Sequence, residues 1–248
     1  MSLNKMIEEA AETSQHAQRN YNLDRCIPDA DLRTLIHVAT NSPSKQNESH
    51  FELHVFTDQN IIRKIYDLTK KFMVRSKAEN KDLTGLFSEE NGKTWQNEDR
   101  SITNSQILAN ALFVFTDSKG TAVSGTHQLA QRDPENNPTR IRLYEEQRNY
   151  SIGISVGELI LAATMLGYKT GICSAFLPKE VGKLINSEDK VKLLVGVGFE
   201  NENTDRRLHA ETLNKDLPPL FRNGEPDTPW QFPALPKNIK VKLNGQDI

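Results

Sequence analysis

A short polar stretch between a predicted helix and a predicted strand carries a dense set of groups that could bind a ligand. Residues 43–47 read Pro-Ser-Lys-Gln-Asn. Pro43 fixes its own φ and favours an extended Ser42, so the preceding helix is predicted to end here. The next four residues offer a hydroxyl, an ammonium and two amides, which can hydrogen-bond a flat heterocycle with several carbonyl and ring-nitrogen acceptors. Composition alone favours the other interpretation, a polar turn at the surface.

Other chemical motifs are weaker. The sequence has no Gly-rich phosphate loop followed by Lys-Ser/Thr, and the Gly-Val-Gly at 196–198 lacks the third glycine of a dinucleotide fingerprint. Residues 50–54 read His-Phe-Glu-Leu-His, which is not His-Glu-x-x-His and lies on a predicted strand, so a metal site is disfavoured. Cys173 could suggest a nucleophile, but no base partner is evident, and a small buried thiol is favoured.

The elements that would position these residues follow from apolar spacing. Alternating and continuous apolar runs predict strands at the positions Phe51–Thr57, Ala111–Thr116 and Val191–Val197. Apolar residues at helical spacing predict a helix over 2–18 and further helices that begin at Pro28, Asp58 and Pro178.

The most hydrophobic element is Ile152–Leu166, which is apolar nearly all round and is followed by Gly167, a residue suited to the position just past a helix. Such a helix belongs at the centre of a fold or at a large subunit interface. Gly153 and Gly157 lie four apart on one face, where a neighbouring backbone could approach closely.

Three polar or proline-rich regions complete the chain. Residues 73–100 are predicted to be a partly helical insertion, and 117–140 a loop with at most one short helix. Six of the eleven prolines fall from Pro218 onward, so 218–248 is predicted to be an extended arm. Strands and helices mix without a regular βαβ repeat, which favours a single α+β domain over 1–248, a sheet flanked by helices.

Charge and cysteine content narrow the class of protein. The formal net charge is −2 with scattered lysine and arginine, which gives no electrostatic case for nucleic acid or an anionic membrane. Two cysteines without a Cys-x-x-Cys motif fit a reducing cytoplasm. The N-terminus is too polar for a secretory signal, and no apolar run approaches the roughly 20 residues that span a bilayer. We therefore expect a soluble cytoplasmic protein.

Four segments, in this order along the chain, resemble motifs of the nitroreductase family. An arginine, Arg19, ends the first predicted helix, and its guanidinium fork suits a dianionic phosphate. A helix then runs into Ser-Pro-Ser-x-x-Asn and a hydrophobic strand, as in the first flavin-binding motif of that family. The other two segments are Gly153–Phe176, which is similar to the family's central helix and the backbone after it, and the run 195–199 followed by Asp205-Arg206-Arg207.

The resemblance implies a fold and a cofactor. The fold would be the nitroreductase-like three-layer α+β fold, a mostly antiparallel central sheet with helices on both faces and an extended C-terminal arm. The cofactor would be FMN, with Ser174 and Ala175 beside flavin N5 and either Asn104 or Gln106 at the pyrimidine edge. The full set of implied FMN-binding residues is Arg19, Asn20, Tyr21, Pro43, Ser44, Lys45, Asn47, Asn104, Gln106, Cys173, Ser174, Ala175, Arg206 and Arg207.

The resemblance also implies an activity and an assembly. The protein would be a homodimer with two FMN sites across its interface, and FMN would pass electrons in a ping-pong cycle from NADH or NADPH to a nitroaromatic, a quinone or another small electrophile. No catalytic side chain is implied, although Lys45, or else Arg25, could raise the flavin potential. Ser174-Ala175 departs from the family's usual glycine. This departure leaves open a flavin-binding protein without turnover. A second alternative is a flavin-fragmenting or dehalogenating relative, whose specificity would lie in residues 73–100 and 117–140.

Overall fold

The computed structural model describes residues 2–44, 47, 51–79, 104–117, 138–204, 206, 210, 242–243 and 246–247. Within this part of the chain, helices 70–79 and 138–144 are described by their backbone only. Most of the predicted insertion over 73–100, of the loop over 117–140 and of the arm over 218–248 lies outside the described residues. The same holds for Lys45, Gln46 and Arg207.

A four-stranded sheet forms the centre of the described fold. Its strands are β1 (Phe51–Phe56), β2 (Ala111–Asp117), β3 (Lys169–Cys173) and β4 (Val191–Gly198). Their order across the sheet is β1-β2-β4-β3, and every neighbouring pair is antiparallel. The prediction of a mostly antiparallel sheet is therefore confirmed. A short separate pairing joins β5 (Lys242–Leu243) to β6 (Gln246–Asp247).

Helices cover both faces of this sheet. They are α1 (Leu3–Thr13), α2 (Asp29–Thr40), α3 (Gln59–Glu79), α4 (Pro138–Met165) and α5 (Pro178–Leu184), and a single 3₁₀ turn spans Ser105–Ile107. Because successive side chains of a strand point to opposite faces, the buried β2 contributes to two cores. The first core contains Phe113 and Phe115 with residues of α2 and α4, and the second contains Leu112 and Val114 with residues of α3 and α5. These three layers confirm the predicted α+β fold.

Two helix boundaries differ from the sequence prediction. Helix α1 ends at Thr13 rather than at residue 18, because the chain then leaves the helix and the Gln18 N–H donates to the Thr170 carbonyl of β3 at 2.8 Å. Helix α4 begins at Pro138 rather than at Ile152. The sequence prediction missed its first half because that half is polar and carries no apolar pattern.

The predicted end of α4 is confirmed in detail. Gly167 has a φ of 86°, in the left-handed region. Its N–H donates to the Thr164 carbonyl, and the Tyr168 N–H donates to the Ala163 carbonyl, both at 2.9 Å. These two bonds form a Schellman motif, which turns the chain from α4 directly into β3. Among the described helices, none is long and apolar enough to cross a membrane.

Candidate functional site

The segment after α1 carries Arg19 along the outer edge of the sheet. On one side of Arg19, the Gln18 N–H is bonded to β3, and on the other the Asn22 N–H donates to the Phe199 carbonyl at 3.1 Å. An isolated antiparallel bridge also joins Tyr21 to Glu200. The backbone on both sides of Arg19 is therefore fixed by tertiary hydrogen bonds, which determine where its side chain starts.

Two arginines meet in this segment. The Arg19 N–H donates to the Arg206 carbonyl at 2.9 Å, so the backbones lie side by side, and Nη1 of Arg206 donates to the Ala17 carbonyl at 3.3 Å. Burial lowers the pKa of Arg19; Cys173 and Tyr21 oppose that shift, and the charge of Arg206 adds to it. Two neighbouring guanidinium groups in a partly buried setting favour an anionic ligand.

The 3₁₀ turn brings polar side chains against Arg19. The amide oxygen of Gln106 accepts a hydrogen bond from Arg19 Nη1 at 2.5 Å, and the Ser105 hydroxyl donates to the Arg19 carbonyl at 2.7 Å. The Gln106 amide nitrogen donates to the Ile172 carbonyl at 3.2 Å. Gln106 thus connects the arginine segment to β3.

The backbone just after β3 is held from the inside. The Ala175 carbonyl accepts hydrogen bonds from the Asn104 amide at 3.2 Å and from the Cys173 thiol at 3.6 Å. Burial raises the pKa of Cys173 to about 11, although a backbone hydrogen bond of Ala175 and the charge of Arg19 lower it, so the thiol stays protonated at neutral pH. This agrees with the interpretation of Cys173 as a small buried thiol. Ser174, between them, is exposed.

Two glycines permit this close packing of the 3₁₀ turn on the sheet. A Cβ on Gly196 would lie 2.2 Å from the Gln106 carbonyl oxygen, and one on Gly171 would lie 2.5 Å from Gln106 Cβ. Because Leu112, which faces Gly196 across the β2–β4 pair, belongs to the second core, the turn covers the sheet face of the second core.

The Pro43–Asn47 turn lies on the other side of the molecule. It directly follows α2, whose Ala39 carbonyl accepts a hydrogen bond from Ser155 of α4 at 2.6 Å, on the face of the first core. Pro43 is exposed, Ser44 is half-buried, and Asn47 is exposed with a φ of 57°. The turn leads to β1. Across the sheet, β1 lies three strand spacings, or about 14 Å, from β3.

The sequence matches the model of the Nitroreductase family over residues 13–199. The chain belongs to the nitroreductase family. The match includes Arg19 and the residues described around it, except Arg206, and it also contains the Pro43–Asn47 turn. A search of curated proteins found no match.

Solved structures with the same fold include several proteins of this family. A BluB-like flavoprotein from Clostridium difficile aligns over 83% of this chain and 93% of its own, with 16% identity and a TM-score of 0.57. Nitroreductase A from Vibrio parahaemolyticus aligns over 81% and 70%, with 12% identity and a TM-score of 0.54. An iodotyrosine deiodinase, solved with FMN and 3-iodo-L-tyrosine, aligns over 80% and 92%, with 17% identity and a TM-score of 0.54. At these identities the likeness concerns the fold.

The nitroreductase fold brings half of the predicted site residues together. One cluster, at the β3 edge on the second-core face, contains Arg19, Tyr21, Asn104, Gln106, Cys173, Ala175 and Arg206. Pro43, Ser44 and Asn47 are separate from it within one chain. The roles of all these residues remain predictions.

Some predicted residues face inward. The Tyr21 hydroxyl donates to the Gln106 carbonyl at 3.1 Å, and burial raises the pKa of Tyr21 strongly. Asn20 is 1% exposed and its carbonyl accepts from the Gln18 amide at 2.6 Å. The guanidinium of Arg25 lies 3.6 Å from the ring centroid of Phe199, at the opposite end of β4 from the segment after β3. Asn20 and Tyr21 thus hold the cluster in place, whereas Arg25 is exposed and lies away from it.

The sequence interpretation did not find Ser105, Gly171 or Gly196. A polar Asn-Ser-Gln triplet shortly before a buried strand was the available signal for Ser105. For Gly196 it was a position inside a predicted strand, which often marks a close backbone approach, whereas Gly171 lies in β3, where no strand was predicted.

Proposed function

We propose that the protein is a homodimeric, FMN-dependent oxidoreductase that transfers electrons from NADH or NADPH to a small electrophile such as a nitroaromatic or a quinone. The observation that carries this proposal is the Arg19–Arg206 pair beside the exposed backbone after β3, in a chain of the nitroreductase family. FMN has an anionic phosphate at one end and a polar ring at the other, so each end can be compared with the residues present.

The arginine pair fits the phosphate of FMN. Two guanidinium groups in a partly buried place repel each other, and burial disfavours their charge. A dianionic phosphate relieves both costs, and Arg19 can meet it with paired N–H donors. Arg19 and Arg206 would therefore hold the phosphate, while the Ser105 hydroxyl and the Gln106 amide hold Arg19.

The segment after β3 fits the reactive side of the ring. Asn104 and Cys173 both donate to the Ala175 carbonyl, which fixes the Ala175–Phe176 peptide and holds the chain after β3 from the inside. The exposed Ser174 is left for a bound ring to approach. The protonated Cys173 thiol supplies neither a nucleophile nor a base at neutral pH.

The chemistry that FMN supplies when bound is electron transfer between a reduced nicotinamide and the acceptor. The residues of this chain would bind and orient FMN: Arg19 and Arg206 would hold the anionic end, and the 174–175 backbone would face the ring. Neither role moves a proton at a side chain. The electron donor and the electron acceptor can bind one after the other at the same exposed surface.

A second copy of the chain supports a complete site. The Pro43–Asn47 turn and the Arg19 cluster lie on opposite faces and toward opposite edges of one sheet, so a single chain does not join them. In a two-fold dimer each copy offers both surfaces, and the turn of one can meet the cluster of the other. This arrangement agrees with the shared sites that the family resemblance implies.

An exposed apolar face of α4 supports such a dimer. Tyr150 and Ile154 are 65% and 43% exposed. Gly153 and Gly157 lie on the same face, and an added Cβ at either glycine would have nothing within 4 Å among the described residues. A helix from a second copy could therefore approach closely here and cover the apolar side chains.

The visible spectrum of the purified protein tests the proposal. We expect a yellow protein that releases FMN on denaturation, is bleached rapidly by NADH or NADPH without air, and regains its colour with a quinone. A colourless protein that does not bind added FMN would refute the cofactor. A yellow protein that neither nucleotide bleaches would refute the activity and leave a flavin-binding protein without turnover.

A further inference from the structure

We propose that Gln106 is a positioning residue that holds the Arg19 guanidinium ready for a phosphate and so makes the site prefer FMN over riboflavin. This inference rests on the proposed function, which it deepens by naming the residue that sets the specificity. It also revises the role of Gln106 from a ligand of the pyrimidine edge to a support for Arg19.

The hydrogen bonds of Gln106 already employ both ends of its side-chain amide. The oxygen accepts from Arg19 Nη1 at 2.5 Å. The nitrogen donates to the Ile172 carbonyl at 3.2 Å and lies 3.5 Å from the Asn104 amide oxygen. The side chain therefore orients Arg19 from inside the protein, instead of offering its own amide to a ligand.

Gln106 is held tightly enough to serve as a support. It is 5% exposed, and its backbone carbonyl accepts a hydrogen bond from the Tyr21 hydroxyl at 3.1 Å. Gly171 and Gly196 lie so close that any side chain in their place would collide with Gln106. Because the anchor does not move, the guanidinium bonded to it has less orientational freedom to lose when a phosphate binds.

The neutrality of this amide is what suits it to the support of an anion-binding arginine. The amide oxygen accepts one N–H of Arg19 and carries no charge, so it leaves the positive charge of the guanidinium, which attracts an anion, uncancelled. A carboxylate at the same place would satisfy Arg19 as an ion pair and compete with the phosphate. Gln106→Glu, which keeps the size of the side chain, is therefore the informative substitution.

The test measures the Kd of FMN and of riboflavin for apo protein, in the wild type, Gln106→Glu and Gln106→Met. Riboflavin lacks the phosphate, so the ratio of the two Kd values isolates the phosphate contact. We expect Gln106→Glu to reduce the preference for FMN about 10- to 100-fold, and Gln106→Met to reduce it about 3- to 10-fold through lost orientation. Riboflavin affinity should change less than about threefold, since the ring contacts are untouched.

A merely structural role for Gln106 would weaken both flavins equally, and that result would overturn the inference. Retention of the wild-type FMN preference in both variants would also overturn it while leaving the proposed function intact. Arg19→Met adds a check: in that background Gln106→Glu should have no further effect on the ratio. A wild-type protein that binds neither flavin would instead refute the proposed function, and the inference with it.

Discussion

Substitution of Gly196 by alanine should damage the site through a single methyl group. The new Cβ would lie 2.2 Å from the Gln106 carbonyl oxygen, 3.0 Å from Ala109 Cβ and 3.2 Å from Ile107 Cα. Ordinary contact begins at 3.4 Å, so the 3₁₀ turn and β4 must separate by about 1 Å. Overpacking of this kind costs about 1–3 kcal/mol, and because the closest atom is backbone we expect about 3 kcal/mol or more.

The assay is urea unfolding followed by far-UV circular dichroism, together with the Kd of FMN for the folded variant. Gly196→Ala should lower the free energy of unfolding by about 3 kcal/mol and also weaken FMN binding, because it displaces Gln106 and with it Arg19. The control is Lys179→Ala, an exposed position on α5 outside the site and outside the proposed dimer face, and its free energy of unfolding should stay within about 0.5 kcal/mol of the wild type. Equal stability of Gly196→Ala and the wild type would refute the close packing that we describe.

Three further predictions follow from other residues. The pKa of Cys173 rises from 9.0 to about 11 on folding, so its thiol contributes stability that is complete below pH 9 and is lost as pH rises through 11; the stability difference between wild type and Cys173→Ala should shrink by about 1.4 kcal/mol at pH 10, measured by urea unfolding. Tyr168→Phe removes a 2.5 Å hydrogen bond to the Asp31 carboxylate and should lower the free energy of unfolding by about 1–2 kcal/mol in the same assay, whereas an unchanged midpoint would contradict a role for that bond. Gly157→Arg, on the exposed face of α4, should give a protein that is monomeric in sedimentation velocity and has lost FMN. The control Lys179→Glu, on α5, should remain a dimer. A dimeric Gly157→Arg would exclude this face as the interface.

The fold could be predicted from the sequence where one local pattern decided it. Pro43 ends α2 through its own ring, and Gly167 ends α4 because only a residue tolerant of positive φ closes a Schellman motif there. The apolar runs of β2 and β4 marked central strands because both of their faces are buried. The boundary of α1 failed, since hydrogen bonds to β3, rather than local propensity, determine where that helix ends.

The candidate site was predictable in its residue types but not in its arrangement. The type of Arg19 was enough to suggest an anion contact. The role of Gln106 could not be predicted from the sequence. It depends on the packing of the 3₁₀ turn on Gly171 and Gly196, which determines the groups that its amide can reach. The separation of Ser44 from Arg19 likewise follows from the strand order, which no local pattern specifies.

A hybrid dimer gives the most direct test of a flavin site shared by two chains. Arg19→Met would remove the proposed phosphate contact, and Ser44→Leu removes the hydroxyl of the turn. If each site takes Arg19 from one copy and Ser44 from the other, a hybrid of the two variants contains one intact site and one doubly damaged site. We predict that each parental dimer binds FMN weakly, whereas the hybrid, purified by two different tags, binds one FMN with wild-type affinity. A hybrid dimer that binds no better than its parents would contradict the shared site.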